Sequence, residues 1–165
     1  MSRVSIEGYV PGAIGRIAEL HGVYYSREWG FGKFFEAKVA TELSEFVNRL
    51  DENQDGLWTL CLDNRVQGAI AIDGIEAKTD AAHLRWFILS PRFTGRGFGN
   101  QLLDSALGFC RQKQYQTVFL WTFKGLDAAR HLYEKHGFTL AEEHEGSQWG
   151  TTVIEQKFIL ELYRA

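Results

Sequence analysis

"SPRFTGRGFGNQLLDSAL", residues 90–107, sets Gly95, Gly97 and Gly99 within a few positions and then becomes at once an amphipathic pattern, with Leu102, Leu103, Ala106, Leu107 and Cys110 on one helical face. The β-rich run "AHLRWFILS" (82–90) precedes it, so the glycines stand between a strand and a helix. Backbone N–H groups converge on an anion only where the chain adopts unusual φ/ψ angles and allows close approach, and both conditions favour glycine. A helix starting immediately afterwards adds its N-terminal donors and the positive end of its dipole. Residues Thr94 to Asn100 meet these conditions, although a plain glycine-rich connector fits the same letters.

Two better-known glycine loops are excluded. "GRGFG" is G-x-G-x-G, not G-x-G-x-x-G, and no acidic residue closes the next β-rich run, "TVFLWT" (117–122), to hold a ribose. No lysine followed by Ser or Thr stands after the last glycine, which removes the nucleotide triphosphate loop.

Working outward, "VSIEGYV" (4–10) alternates as a strand, and Ile14, Ile17, Ala18 and Val23 then follow helical spacing to about Gly30. Phe35, Val39, Leu43, Phe46 and Leu50 predict a second helix, stopped by "DENQDG" (51–56). "LWTLCLD" (57–63) and "RVQGAIAIDGI" (65–75) read as an antiparallel hairpin, and "AHLRWFILS" as a third strand. Beyond the glycine helix come the short buried strand "TVFLWT", the helix "LDAARHLYEKH" (126–136) ended by Gly137, and the strands "FTLAEEHE" (138–145) and "TTVIEQKFILELY" (151–163). This order predicts an α+β fold: a mixed central sheet of about seven strands with helices on both faces.

The glycine stretch, "ILSPRFTGRGFGNQLL", resembles the core motif of the GNAT superfamily of acyl-CoA-dependent N-acyltransferases. "AARHLYEKHGF" (128–138) resembles that superfamily's second signature, A-x-x-L-Y-x-x-x-G-F, at the expected distance downstream. The predicted element order agrees from Val4 to Tyr163. "HGVYYSREWGF" and "FFEAKVATELSEFV" are further similar to acetyltransferase domains fused behind MarR-type regulators, although no such regulator precedes them in this sequence.

The resemblance implies acetyl-CoA as cosubstrate and no metal. The amides of Thr94, Gly95, Arg96, Gly97, Phe98, Gly99 and Asn100 would hold the pyrophosphate, with Arg96 as a charged helper. Phe87, Ile88 and Leu89 would pair their backbone with the pantetheine amides, as in strand addition to a sheet edge. Tyr133 matches the signature tyrosine expected to protonate the leaving thiolate, its alternative being a ring packed in the core. Thr94 stands where arginine or glutamine is frequent, and Leu126 where asparagine is common, which implies fewer cofactor contacts.

His21, Tyr25 and Glu28 recur at i, i+4 and i+7 and share one helix face. That face is either the acceptor side, with Glu28 as base and His21 and Tyr25 against the substrate, or a solvated surface. Trp149, in the turn "EGSQWGTTV" (145–153), either covers the acceptor or packs on the sheet. The implied reaction is acetyl transfer to a primary amine in a ternary complex, the acceptor being a small amine or amino acid derivative first and a protein amino group second. The other reading is a non-catalytic coenzyme A-binding sensor.

With 165 residues, 45% of them hydrophobic, the chain can bury one sizeable core, and a single domain over 1–165 is expected. The net charge of −3 argues against a nucleic-acid surface. The absence of a membrane-length apolar run and of a signal peptide predicts a cytoplasmic protein, with homodimer formation left open. Cys61 and Cys110 sit in apolar runs and read as buried and inert. "DENQDG" opens like a calcium loop, but Leu62 occupies the position of the bidentate glutamate, so it reads as a solvated turn.

Overall fold

A computed structural model describes residues 3–74 and 80–163. The elements follow the expected order: β1 (Val4–Glu7), α1 (Ala13–Trp29), α2 (Lys33–Asn48), β2 (Gly56–Leu62), β3 (Arg65–Asp73), β4 (Ala81–Leu89), α3 (Phe98–Gln112), β5 (Thr117–Phe123), α4 (Asp127–Lys135), β6 (Thr139–Gly146) and β7 (Val153–Glu161). A short 3-10 turn, Pro91–Phe93, separates β4 from the glycines. The seven strands form one sheet in the order β1-β2-β3-β4-β5-β7-β6, antiparallel except where β4 meets β5.

β3 shows how the sheet divides its side chains. Ile70 and Ile72 pack with Leu102, Leu103 and Leu107 of α3, whereas Ala69 and Ala71 pack with Ile17 of α1 and Leu43 and Phe46 of α2. Alternation along one strand therefore feeds two cores, one under each helix layer. The small alanines let α1 and α2 approach closely, and the larger isoleucines fill the side of α3.

The first strand ends at Glu7 and not at Val10. The Thr59 hydroxyl donates to the Gly8 carbonyl at 2.8 Å, and Val10 O instead accepts from Ala13 N at the start of α1. The last strand is likewise shorter than 151–163, and the expected end of the hairpin at Ile75 lies outside the described residues. β5 is not buried throughout: Val118, Leu120, Thr122 and Phe123 are buried, while Phe119 and Trp121 are half-buried.

"DENQDG" is a turn, exposed from Asp51 to Asn53 as expected but buried at Asp55 and Gly56. Asp55 is buried and its carboxylate accepts from Asp51 N at 2.9 Å and Gly74 N at 2.7 Å, tying the α2–β2 turn to the end of β3. Both cysteines are buried and free, and burial pushes the Cys110 thiol up to about 12. Among the described residues, no helix is long and apolar enough to cross a membrane.

Candidate active site

The site begins with a fault in β4. Ala82 and Leu84 face the α3 core, but further along Trp86 and Ile88 face the α1–α2 core while Phe87 and Leu89 pack on the α3 side. The phase switches at Trp86, whose φ of 49° lies in the left-handed region, and the register with β3 slips between Ala69 and Ala71. An extra residue in one strand of an antiparallel pair produces this combination of bend, twist and reversed facing.

The bend opens the sheet. β4 and β5 pair only at Ala81–Thr117, Ala82–Val118 and His83–Phe119. Past that rung the strands diverge, so among the described residues Leu84 to Leu89 have no strand partner on the β5 side. The opening is a cleft of about 780 Å³ between the two helix layers.

The glycine turn closes one end of the cleft. Gly95 (φ 72°) and Gly97 (φ 84°) adopt left-handed conformations, and a Cβ on either would meet nothing within 4 Å. Backbone conformation, not crowding, requires glycine there. Gly97 caps α3, so the free N–H groups of the first helical turn lie at this end. Thr94, Gly95, Gly97, Gly99 and Asn100 line the cleft, as do Phe87, Ile88 and Leu89. Arg96 and Phe98 are not in its lining: the Arg96 guanidinium lies over the Phe93 and Phe98 rings at 5.3 and 5.4 Å. The Thr94 hydroxyl donates to Pro91 O at 2.8 Å.

Tyr133 is buried beneath the fork, its ring near Phe87, Phe138 and Phe158. The ring belongs to the core, and the residue also lines the cleft. Burial raises the hydroxyl above its ordinary pKa, so it keeps its proton at neutral pH. Tyr25 is raised likewise by burial and then by nearby Tyr133.

His21 is buried, and its Nδ1–H donates to Ile17 O at 2.8 Å, which leaves Nε2 unprotonated. Burial lowers its pKa to about 4 despite that bond. No fully buried side-chain N or O among the described residues lacks a partner, so the unbonded Nε2 opens on the cleft that His21 and Tyr25 line. Trp149 reaches the same cleft from the β6–β7 turn, 5.7 Å from the Phe123 ring. Phe34, in the first turn of α2, lies against Gly150 of that same turn.

Glu28 falls outside this lining. It is exposed on α1, at a neighbouring hollow with Tyr24 and Trp29. The three residues at i, i+4 and i+7 thus separate, with His21 and Tyr25 in the cleft lining and Glu28 outside it.

The sequence reading missed the carboxylate that the cleft does contain. Glu42 of α2 accepts from Lys38 Nζ at 2.8 Å and from Arg85 Nη2 at 3.2 Å, and all three line the cleft. Arg85 also donates to buried Asp73 at 3.1 Å and lies 4.1 Å from the Trp86 ring. The i, i+4 spacing of Lys38 and Glu42 was the available signal, but it is equally that of a solvated helix pair. Among the described residues, no group of three or more His, Cys, Asp or Glu could hold a metal ion.

This architecture recurs in known proteins. A GNAT-family acetyltransferase structure from Staphylococcus aureus has a TM-score of 0.77 at 13% identity, covering 98% of this chain and 100% of that one. The yncA protein of Salmonella typhimurium, solved with its cofactor acetyl-CoA, has a TM-score of 0.75 at 13% identity, covering 98% and 95%. By sequence, an uncharacterised N-acetyltransferase of Methanocaldococcus jannaschii is 25% identical over 129 residues, 75% of this chain and 57% of the relative. An amino-acid acetyltransferase of Mycobacterium tuberculosis is 31% identical over 80 residues, 48% of this chain and 39% of the relative. The chain thus spans well under two thirds of the length of either curated relative. The model of the acetyltransferase (GNAT) family matches residues 15–138, which include the glycine turn, the fork and Tyr133. On that match, the chain belongs to the GNAT family of acetyltransferases.

Proposed function

We propose that the chain transfers the acetyl group of acetyl-CoA directly to an amine bound in the same cleft. The observation that carries this reading is the fork past His83 and Phe119, with the glycine turn at one end and Tyr133 beneath it. The residues present fit the cosubstrate. Gly95 and Gly97 keep the turn free of side chains for a pyrophosphate, helped by the N-terminus of α3. The unpaired edge of Phe87–Leu89 suits the amides of an extended pantetheine arm.

The reaction needs a neutral amine to attack the thioester carbonyl, with the carbon–sulfur bond breaking and a proton reaching the sulfur. In this reading Tyr133 supplies that proton from a hydroxyl held neutral by burial. The amine proton leaves through His21, Tyr25 and water, because Glu28 stands beside the cleft and not in it. A small amine is the first acceptor class and a protein amino group the second. The test is release of free coenzyme A thiol from acetyl-CoA across a panel of amines. Amine-dependent release supports the reading, whereas tight acetyl-CoA binding with no release for any amine fits a coenzyme A sensor.

A further inference from the structure

β7 carries a buried carboxylate that the proposed reaction does not use. Phe158 and Leu160 pack in the α3 core, so alternation puts Val153 and Glu155 on the opposite face of the sheet, where Val153 packs on the α1–α2 core. Glu155 is only 4% exposed and stands outside the cleft lining. A carboxylate withdrawn from water needs donors aimed at it. Among the described residues, every donor to this carboxylate comes from the β6–β7 hairpin: Gln148 N at 3.0 Å, Gln148 Nε2 at 2.7 Å, and His144 Nε2 of β6 at 3.4 Å.

Gly146 leaves room for that reach. It pairs with Val153 at the end of the hairpin, and a Cβ on it would run into the Glu155 carboxylate. Gln148, which Glu155 holds, and its neighbour Trp149 both line the cleft. The same turn meets the rest of the fold through Trp149, 5.7 Å from the Phe123 ring, and through Gly150, which lies against Phe34. Apolar contact of that kind is non-directional, whereas the paired bonds from Gln148 to one carboxylate are directional and charge-assisted. Lifting the turn would leave Glu155 buried with His144 alone.

We propose that Glu155 is a positioning residue: through its two bonds to Gln148 it fixes the β6–β7 turn and so sets Trp149 as a wall of the acceptor site. This assignment rests on the acetyltransferase reading above. A wall in place for only a fraction of the time weakens apparent acceptor affinity by that fraction, and loss of one charge-assisted bond corresponds to about tenfold. The experiment screens ethanolamine, phenethylamine, leucine, putrescine and a hexapeptide with a free N-terminus, and follows coenzyme A thiol release with the most active of them. Glu155→Ala raises KM for that amine about tenfold, with kcat and the melting shift given by acetyl-CoA retained. Glu155→Gln, which keeps an acceptor for Gln148 N, recovers most of the loss. Gly146→Ala displaces the carboxylate from outside the cleft and reproduces the rise in a chain that still folds, because the crowded group is the end of a flexible side chain. In a Trp149→Ala background, Glu155→Ala changes KM little, since the two residues act as one unit. An unmoved KM in Glu155→Ala and Gly146→Ala overturns the assignment, as does an undiminished rise in the Trp149→Ala background. A parallel fall in kcat, or loss of the acetyl-CoA melting shift, also overturns it, because a general packing role produces both. Thiol release that no amine stimulates overturns the acetyltransferase reading and this assignment with it.

Discussion

His83 of β4 and Phe119 of β5 stack their rings 4.5 Å apart, 15° from parallel, on the last rung that joins the two strands. Everything assigned to the site lies past that rung. The stack closes the narrow end of the fork, and the fault at Trp86 holds the wide end open. A continuous parallel pair would occupy the edge that the cosubstrate needs.

Tyr133→Phe removes one hydroxyl and leaves the ring in its core contacts with Phe138 and Phe158. A positioned acid contributes on the order of a hundredfold or more to rate. Turnover is expected to fall by about that factor, with acetyl-CoA affinity nearly unchanged. Steady-state rates beside a binding isotherm check the split.

Gly97→Val forces a β-branched residue to φ 84° at the cap of α3. The space is open, so the penalty is backbone strain of about 1–2 kcal/mol, which a domain with several kcal/mol of stability survives. The variant is expected to fold, by circular dichroism, and to lose acetyl-CoA stabilisation as the turn distorts.

His21 makes stability pH-dependent. Its pKa is about 4 when folded and 6.5 in the ordinary state, so between those values the unfolded chain binds the additional proton. Stability is complete above pH 6.5 and falls as pH drops toward 4. His83, lowered to about 3 by burial and then by Arg85, acts in the same direction. Urea unfolding at pH 7 and pH 5 should differ by about 2 kcal/mol from His21 alone. His21→Phe should reduce the difference by about that amount.

Asp55→Ala leaves Asp51 N and Gly74 N without their acceptor and Arg49 without a carboxylate 3.7 Å away. The expected cost is about 3 kcal/mol, two charge-assisted bonds at the lower end of their range, read from denaturant midpoints. Added calcium should not shift the melting temperature of the parent chain, since Asp55 is occupied inside the protein and Leu62 lies in β2.

The order of elements was legible because each has its own local signal: period two for strands, 3.6 for helices, glycine and "DENQDG" for breaks. The glycine turn was legible for a related reason, since left-handed φ leaves glycine in the sequence. The fork was not. "AHLRWFILS" alternates only as far as Trp86 and is then apolar through Leu89, and an unbroken apolar run does not reveal that Trp86 takes a left-handed φ and reverses the facing of Phe87 to Leu89. Arg85 stacks on Trp86 and bonds Asp73, which are consequences of the bulge and not of local sequence. Glu42 carried no signal of its own because its partner Arg85 is 43 positions away. Asp55 looked solvated because Gly74 reaches it only after the hairpin closes.

The most direct test of the account is the melting temperature of the purified chain with and without acetyl-CoA. At a hundred times its dissociation constant, a ligand bound only by the folded state adds about 2.7 kcal/mol. In a domain of this size that is a rise of about 5–10 °C. A rise of that order is predicted, diminished by Gly97→Val and kept by Tyr133→Phe. No shift at millimolar acetyl-CoA would contradict the assignment of the fork and the glycine turn.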